Sequence, residues 1–225
     1  MLYWNNIHPE IKKKSEKYIQ DLVCINKDNI ISINFLEKFS ADNWTCKDSI
    51  KILIVVKKLE IFLLKQNLKL VSSGIKKGIV APLFLTIKHI ESSSDVFPIE
   101  FLDMKNRHAL IYGEDILSKI IVEPENLRLE CEQILKGKLI RLRQAYLEIG
   151  LKEKEIKRLI YESFNSFIPV FKNLPQLKNI NNIDVFKKIY SEEFRSYNGD
   201  VLESFFGEYV EQIRLLAVAV DGLKL

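Results

Sequence analysis

Glycine is scarce in this chain, eight in 225 residues, and no glycines cluster into a loop that would cradle a phosphate. "YGED", Tyr112 to Asp115, holds one glycine and reads better as the end of a strand. Cysteine is scarcer still. Cys24, Cys46 and Cys131 stand far apart with no C-x-x-C pair, which argues against a zinc knuckle and predicts free thiols in a reducing compartment. His8, His89 and His108 are isolated, without a nucleophile, acid or thiol at a recognisable spacing, so neither a catalytic triad nor a histidine-rich metal site is indicated. No apolar run approaches the length of a membrane span, and "MLYWNNIHPEIKKKSEKY" carries charge too early for a signal peptide. These absences predict a cytoplasmic protein with no membrane partner.

What is present is an ordinary globular balance, 47% hydrophobic and 28% charged. That is enough for one large domain or two modest ones. The 34 Lys+Arg exceed the 30 Asp+Glu by four, a mild excess that permits contact with phosphates without demanding it.

"HPEIKKKSEKYIQDLV", with Ile11, Tyr18, Ile19 and Leu22 at helical spacing and Pro9 suited to a first turn, predicts an opening helix. "NIISINFL" (29–36) and "SIKILIVVKK" (49–58) are rich in β-branched residues and predict neighbouring strands. The continuous apolar run of the second suits a central strand buried on both faces. A helix over 59–77 closed by Gly74 or Gly78 comes next, then a short strand "APLFLT" and a helix capped by Thr86. "VFPIEFLDMK" and "HALIYGED" read as two further strands. Beyond Pro124 the strand signal fades into amphipathic segments at about 125–149, 152–173, 182–196 and 200–220. Pro169, Pro175 and the Asn-rich stretch after them predict a kink or an end to the second of these and a long loop. The expected fold is α+β: a mixed sheet with helices over 1–120, then a helical bundle over 121–225.

"GIVAPLFLT", "SSSDVFPIEFLDMKNRHALIYGED" and "NLRLECEQILKGKLIRLRQAYLE" together resemble nucleotidyltransferase-domain proteins of the DNA polymerase beta-like superfamily, over about Ile30 to Gly150. The resemblance implies a strand ending in Gly-Ser, then a second strand carrying Asp-x-Asp. In active members the glycine lets backbone approach a triphosphate and the carboxylates hold Mg²⁺ ions that position it. A third carboxylate on a later strand completes the metal site. In this chain Glu37-Lys38 fills the Gly-Ser position and Ser49-Ile50-Lys51 the paired acids. A one-residue slip brings Asp48 nearer, still as a single carboxylate. Asp42 and Asp48 read as polar turn residues, and Trp44 in the same loop as a packing aromatic.

An ammonium at Lys51 opposes a divalent cation and suits a phosphate instead. The resemblance therefore implies a degenerate nucleotidyltransferase with a binding or regulatory role, its partner a nucleotide, a nucleic acid, a protein or a second copy, and with no cofactor. The alternative is an active enzyme that uses Mg²⁺ on an irregular set drawn from Asp48, Glu100 and Asp103. Glu100 is the candidate third carboxylate. As residues of a strand, Glu100 and Asp103 would point to opposite faces, and a structural ion pair is the commoner use of such a glutamate. Phosphate contacts are expected from Lys38, Lys51, Lys138 and Arg141. The last two lie three apart on one helix, in a basic cluster with Arg128 and Lys136 that Glu130, Glu132 and Glu148 balance if the face is merely solvated.

Overall fold

A computed structural model describes residues 2–5, 7–36, 49–173, 186 and 188–223. The chain divides into two compact units, one of Met1–Ser94 with Glu100–Ile121, the other of Asp95–Ile99 with Val122–Leu225. The architecture is α+β, a mixed sheet with helices followed by C-terminal helices.

In the first unit α1 (Pro9–Asn26) opens with Pro9 in its first turn, and His8 Nδ1 accepts the backbone N–H of Glu10. Its buried residues, Ile11, Ser15, Tyr18, Ile19, Leu22 and Asn26, recur at helical spacing along one stripe. Strand β1 (Ile30–Leu36) pairs antiparallel with β2 (Ile52–Val56), with Ile33 opposite Ile54 and Phe35 opposite Ile52. Helix α2 (Ile61–Ile75) returns the chain so that β3 (Leu83–Thr86) runs parallel to β2. Helix α3 (Ile87–Ser93) is capped by Thr86, whose hydroxyl accepts the N–H of His89. After α4 (Pro98–Arg107), β4 (His108–Gly113) pairs antiparallel with the other edge of β1, giving the order β3-β2-β1-β4. The N-terminal residues add to that edge, with the N–H of Tyr3 donating to the Ile111 carbonyl.

Every residue of β2 is buried, as its unbroken apolar run requires of a central strand. Ile33, Phe35, Ile52, Ile54 and Val56 turn one way into a core shared with α1 and α2. The two helices meet through a polar contact within this apolar layer. The amides of Asn26 and Asn67 exchange hydrogen bonds of 3.0 and 2.8 Å, and each also donates to a carbonyl four residues back, Leu22 and Leu63. Tyr18 packs where α2 has only a glycine, since a Cβ on Gly74 would lie 2.6 Å from its ring. The Tyr18 hydroxyl is buried without a hydrogen-bond partner among the described residues, and burial pushes its ionisation up to about 12.

One expected strand is a helix. Pro98 to Arg107 forms α4, because the adjacent pair Phe101 and Leu102 is buried together with Ile99, a pattern spaced by three that no half-buried strand can satisfy. The alternation of Ile99, Glu100 and Phe101 is too short to decide between the two periods. Glu100 and Asp103 are therefore one helical turn apart and share a side, not opposite faces of a sheet.

The second unit packs α5 (Pro124–Ile149) against α6 (Glu153–Asn173) and α8 (Gly199–Asp221), with a short α7 (Glu192–Ser196) between the last two. Gly150 ends α5 with φ +61°, and its N–H donates to the Tyr146 carbonyl. Helix α6 continues through Pro169 to Asn173. The interior proline costs about 3 kcal/mol, and the complete burial of Phe167 and Val170 on either side of it, worth about 1.5–3 kcal/mol each, offsets that cost. Rings of Phe164, Phe171, Phe186 and Tyr209 stack in the same core, Phe171 and Phe186 at 4.6 Å. Pro175 and the Asn-rich stretch lie outside the described residues.

Two stability measurements follow from the α1–α2 contact. Asn67→Leu alone is expected to cost about 1–3 kcal/mol in urea unfolding, because it orphans the Asn26 amide, and adding Asn26→Leu should restore part of the loss. Tyr18→Phe removes an unpaired buried hydroxyl and should raise stability at neutral pH by up to about 1 kcal/mol. The wild-type phenol ionises first in the unfolded chain, so the stability it holds below 10.0 is lost as the pH rises to about 12. Thermal melts of Tyr18→Phe across that window should show a shallower decline.

Candidate functional site

The lead into β2 is where the structure constrains chemistry most. Ile50 extends the strand through an isolated parallel bridge to Ile79: its N–H donates to the Gly78 carbonyl at 2.9 Å and its own carbonyl accepts the N–H of Val80 at 2.9 Å. Its side chain is buried in the core with Ile52 and Ile54. Since side chains alternate along extended backbone, Ser49 and Lys51 are turned to the opposite, outer face. Both are exposed. The Lys51 carbonyl accepts the N–H of Leu36 at 3.0 Å, which fixes its register against β1.

The same face is covered farther along the sheet: Leu53 and Val55 on β2 and Ser32 and Asn34 on β1 are fully buried, and the Asn34 amide donates to Ser32 Oγ at 3.1 Å. The Asn34 Oδ1 has no partner among the described residues. His108 pairs with Leu36 at the start of β4, so Lys51, Leu36 and His108 form one row over β2, β1 and β4. His108 is not the isolated residue its sequence position implies. Its Nδ1 lies 3.0 and 2.9 Å from the carbonyls of Met104 and Lys105, and its Nε2 3.0 Å from Asp115 Oδ1. The carboxylate of Asp115 also accepts the N–H of Ser118. Nothing in the seven-residue spacing of His108 and Asp115 marks them as partners, since residues that far apart in or beside a strand are not local neighbours.

A hydroxyl and an ammonium thus stand in the lead into β2, at the two positions that the resemblance expects to carry carboxylates. They do not fit Mg²⁺: an ammonium repels a divalent cation, and a neutral hydroxyl cannot replace two anionic oxygens. Among the described residues no three His, Cys, Asp or Glu side chains gather as a metal site needs. Both groups present can donate to an anionic oxygen. Glu100 and Asp103 are exposed on α4, where Asp103 accepts from Arg107 at 3.3 Å, so neither is a strand neighbour of Lys51. Glu37, Lys38, Asp42, Trp44, Cys46 and Asp48 lie outside the described residues.

In the second unit the basic cluster on α5 resolves into separate roles. Arg128 pairs with Glu132 at 2.9 Å and Lys136 with Asp221 at 3.0 Å. The ammonium of Lys138 donates to the Ser166 carbonyl on α6 and lies 5.4 Å from the centre of the Phe167 ring. Burial, and next the charge of Arg141, hold the Lys138 pKa below the ordinary lysine value. Lys138 is committed to packing within the bundle, whereas Arg141 is exposed. Buried Cys131 on the same helix has its thiol pushed up to about 12 by burial and then by Glu130, which makes it a core residue with little thiolate character.

No protein-family model matches the chain, and no curated protein matches it. Among solved structures it is similar to spectinomycin adenyltransferase AAD(9) from Enterococcus faecialis, crystallised with ATP and spectinomycin. The identity is 10% and the TM-score 0.44, over 92% of this chain and 99% of that one. No helix among the described residues is long and apolar enough to cross a membrane.

Lys138→Met keeps the aliphatic stem and removes a desolvated charge together with one hydrogen bond. The two effects oppose each other, so the melting midpoint should move by no more than the equivalent of about 1 kcal/mol. A loss well beyond that would show the ammonium to be essential to the bundle.

Proposed function

We propose that this chain is a nucleotidyltransferase-like protein that binds a phosphorylated ligand, a nucleotide or the backbone of a nucleic acid, in a binding or regulatory role and without transferring a nucleoside monophosphate. The observation that carries this reading is the shared outer face of Ser49 and Lys51, fixed by the burial of Ile50 and Ile52 between and beside them. The resemblance assigns that face to metal-binding carboxylates. Here it offers two donors and one positive charge, which complement phosphate oxygens directly.

Lys51 supplies the charge and Ser49 a hydrogen bond. Lys51 is held by its carbonyl's hydrogen bond to the Leu36 N–H and by the bridge of neighbouring Ile50 to Ile79, and two residues of extended chain at about 3.3 Å each set Ser49 about 7 Å from it. A ligand held this way needs no metal ion. Lys38 remains a candidate for a further phosphate contact, and Arg141, exposed on α5 of the second unit, for a separate one of its own.

The test is thermal stabilisation by ATP in excess chelator. At ten times its dissociation constant a ligand that binds only the folded state adds about 1.4 kcal/mol, or about 6 °C in a unit of this size. Lys51→Glu should abolish the shift and leave the unliganded midpoint in place. Incorporation of labelled nucleotide that requires Mg²⁺ and is lost in Asp48→Ala or Glu100→Ala would overturn the reading in favour of the active enzyme. An ATP shift that survives Lys51→Glu would remove the proposed phosphate contact.

A further inference from the structure

Helix α2 has a second apolar stripe that faces solvent. Its core side is made by Leu63, Asn67 and Gly74, yet Ile61, Leu64, Leu68, Val71 and Ile75 form a separate row. Their steps of three, four, three and four are the heptad spacing of a coiled-coil seam. At 3.6 residues per turn these five fall within about 80° of the helix circumference. Ile61 is 69% exposed, Leu68 62% and Ile75 57%.

The charge beside this seam is mostly positive. Lys65, Lys69 and the C-cap residue Lys76 run along the flank away from the α1 contact, all exposed, and the N-cap residue Glu60 is the one carboxylate next to the row. We propose that this face docks an amphipathic helix of another protein, one whose Leu/Ile/Val stripe is bordered by glutamate or aspartate. The width of the stripe selects the occupant: the row of heptad a and d positions fits the ridge of one helix, and the lysine flank separates it from the other exposed apolar residue of α2, Phe62, so the two do not merge into the broad apolar face of a helix lying on a bilayer. The charges disfavour a second copy: each α2 brings three ammonium groups to the row and only Glu60 to answer them, so a twin adds net positive charge to net positive charge. An acidic flank, by contrast, puts carboxylates beside Lys65, which borders the seam, and nearer to Lys69 and Lys76 further round the helix. This surface is independent of the phosphate-binding reading, and either can fail alone.

The experiment measures anisotropy of two fluorescent three-heptad peptides titrated with the full chain. Both have leucine at the seam; one has glutamate and the other lysine at the flanking positions, and like charge keeps each peptide monomeric. The glutamate peptide should bind at least about tenfold more tightly, and high salt should weaken it. Leu68→Glu, at an exposed position, should abolish that binding without moving the melting temperature. Joint reversal of Lys65, Lys69 and Lys76 to Glu should switch the preference to the lysine peptide. Equal binding of the two peptides, or binding that Leu68→Glu leaves intact, overturns the proposal. So does a wild-type dimer that Leu68→Glu dissociates in sedimentation, which gives the face to a second copy. Cosedimentation with anionic phosphatidylserine vesicles that is lost in Leu68→Glu, with neither peptide bound, gives it to a membrane surface.

Discussion

The burial of β2 on both faces is the constraint from which the rest of the first unit follows. Ile52 to Val56 lie between β1 and β3, every one of them out of solvent. A strand in that position cannot slip by one residue, since a slip would exchange its two faces. Ile50 joins the same alternation through its bridge to Ile79. The direction of Ser49 and Lys51 is thus set by the core behind them, and their chemistry can change without disturbing the fold.

The α1–α2 layer shows a different balance. An amide pair and a tyrosine ring against a glycine set how closely the helices approach. A buried amide pair of this kind is satisfied in one geometry only, so it specifies helix placement beyond what apolar burial alone would fix. With that side of α2 committed, the row from Ile61 to Ile75 is left outward as a continuous seam. The exposed stripe is a consequence of how α2 is held.

In the second unit, burial overrides two local signals. Pro169 would break an isolated helix, but Phe167 and Val170 hold α6 in register on both sides of it. Lys138 belongs to a basic cluster in the sequence, yet its stem and ammonium turn into the bundle to meet Ser166 and Phe167. Arg128 and Lys136 have carboxylate partners, which is the solvated-face reading of the same residues.

Much of the fold was legible in the sequence because each element carries its own period: 3.6 in α1, α5 and α8, and an unbroken apolar run in β2. The misread element was α4, where three alternating residues imitate a strand and the helical period shows only through Phe101 and Leu102. The hydroxyl and the ammonium at Ser49 and Lys51 were also legible, being a matter of residue identity. The partnership of His108 with Asp115, the commitment of Lys138 and the exposure of Leu68 were not. Identity and periodicity are local properties, and the sequence by itself determined the α+β order and the chemistry available at the lead of β2. Which polar groups find partners, and which apolar row is left without one, depends on segments distant in the chain, and only the tertiary packing decided that.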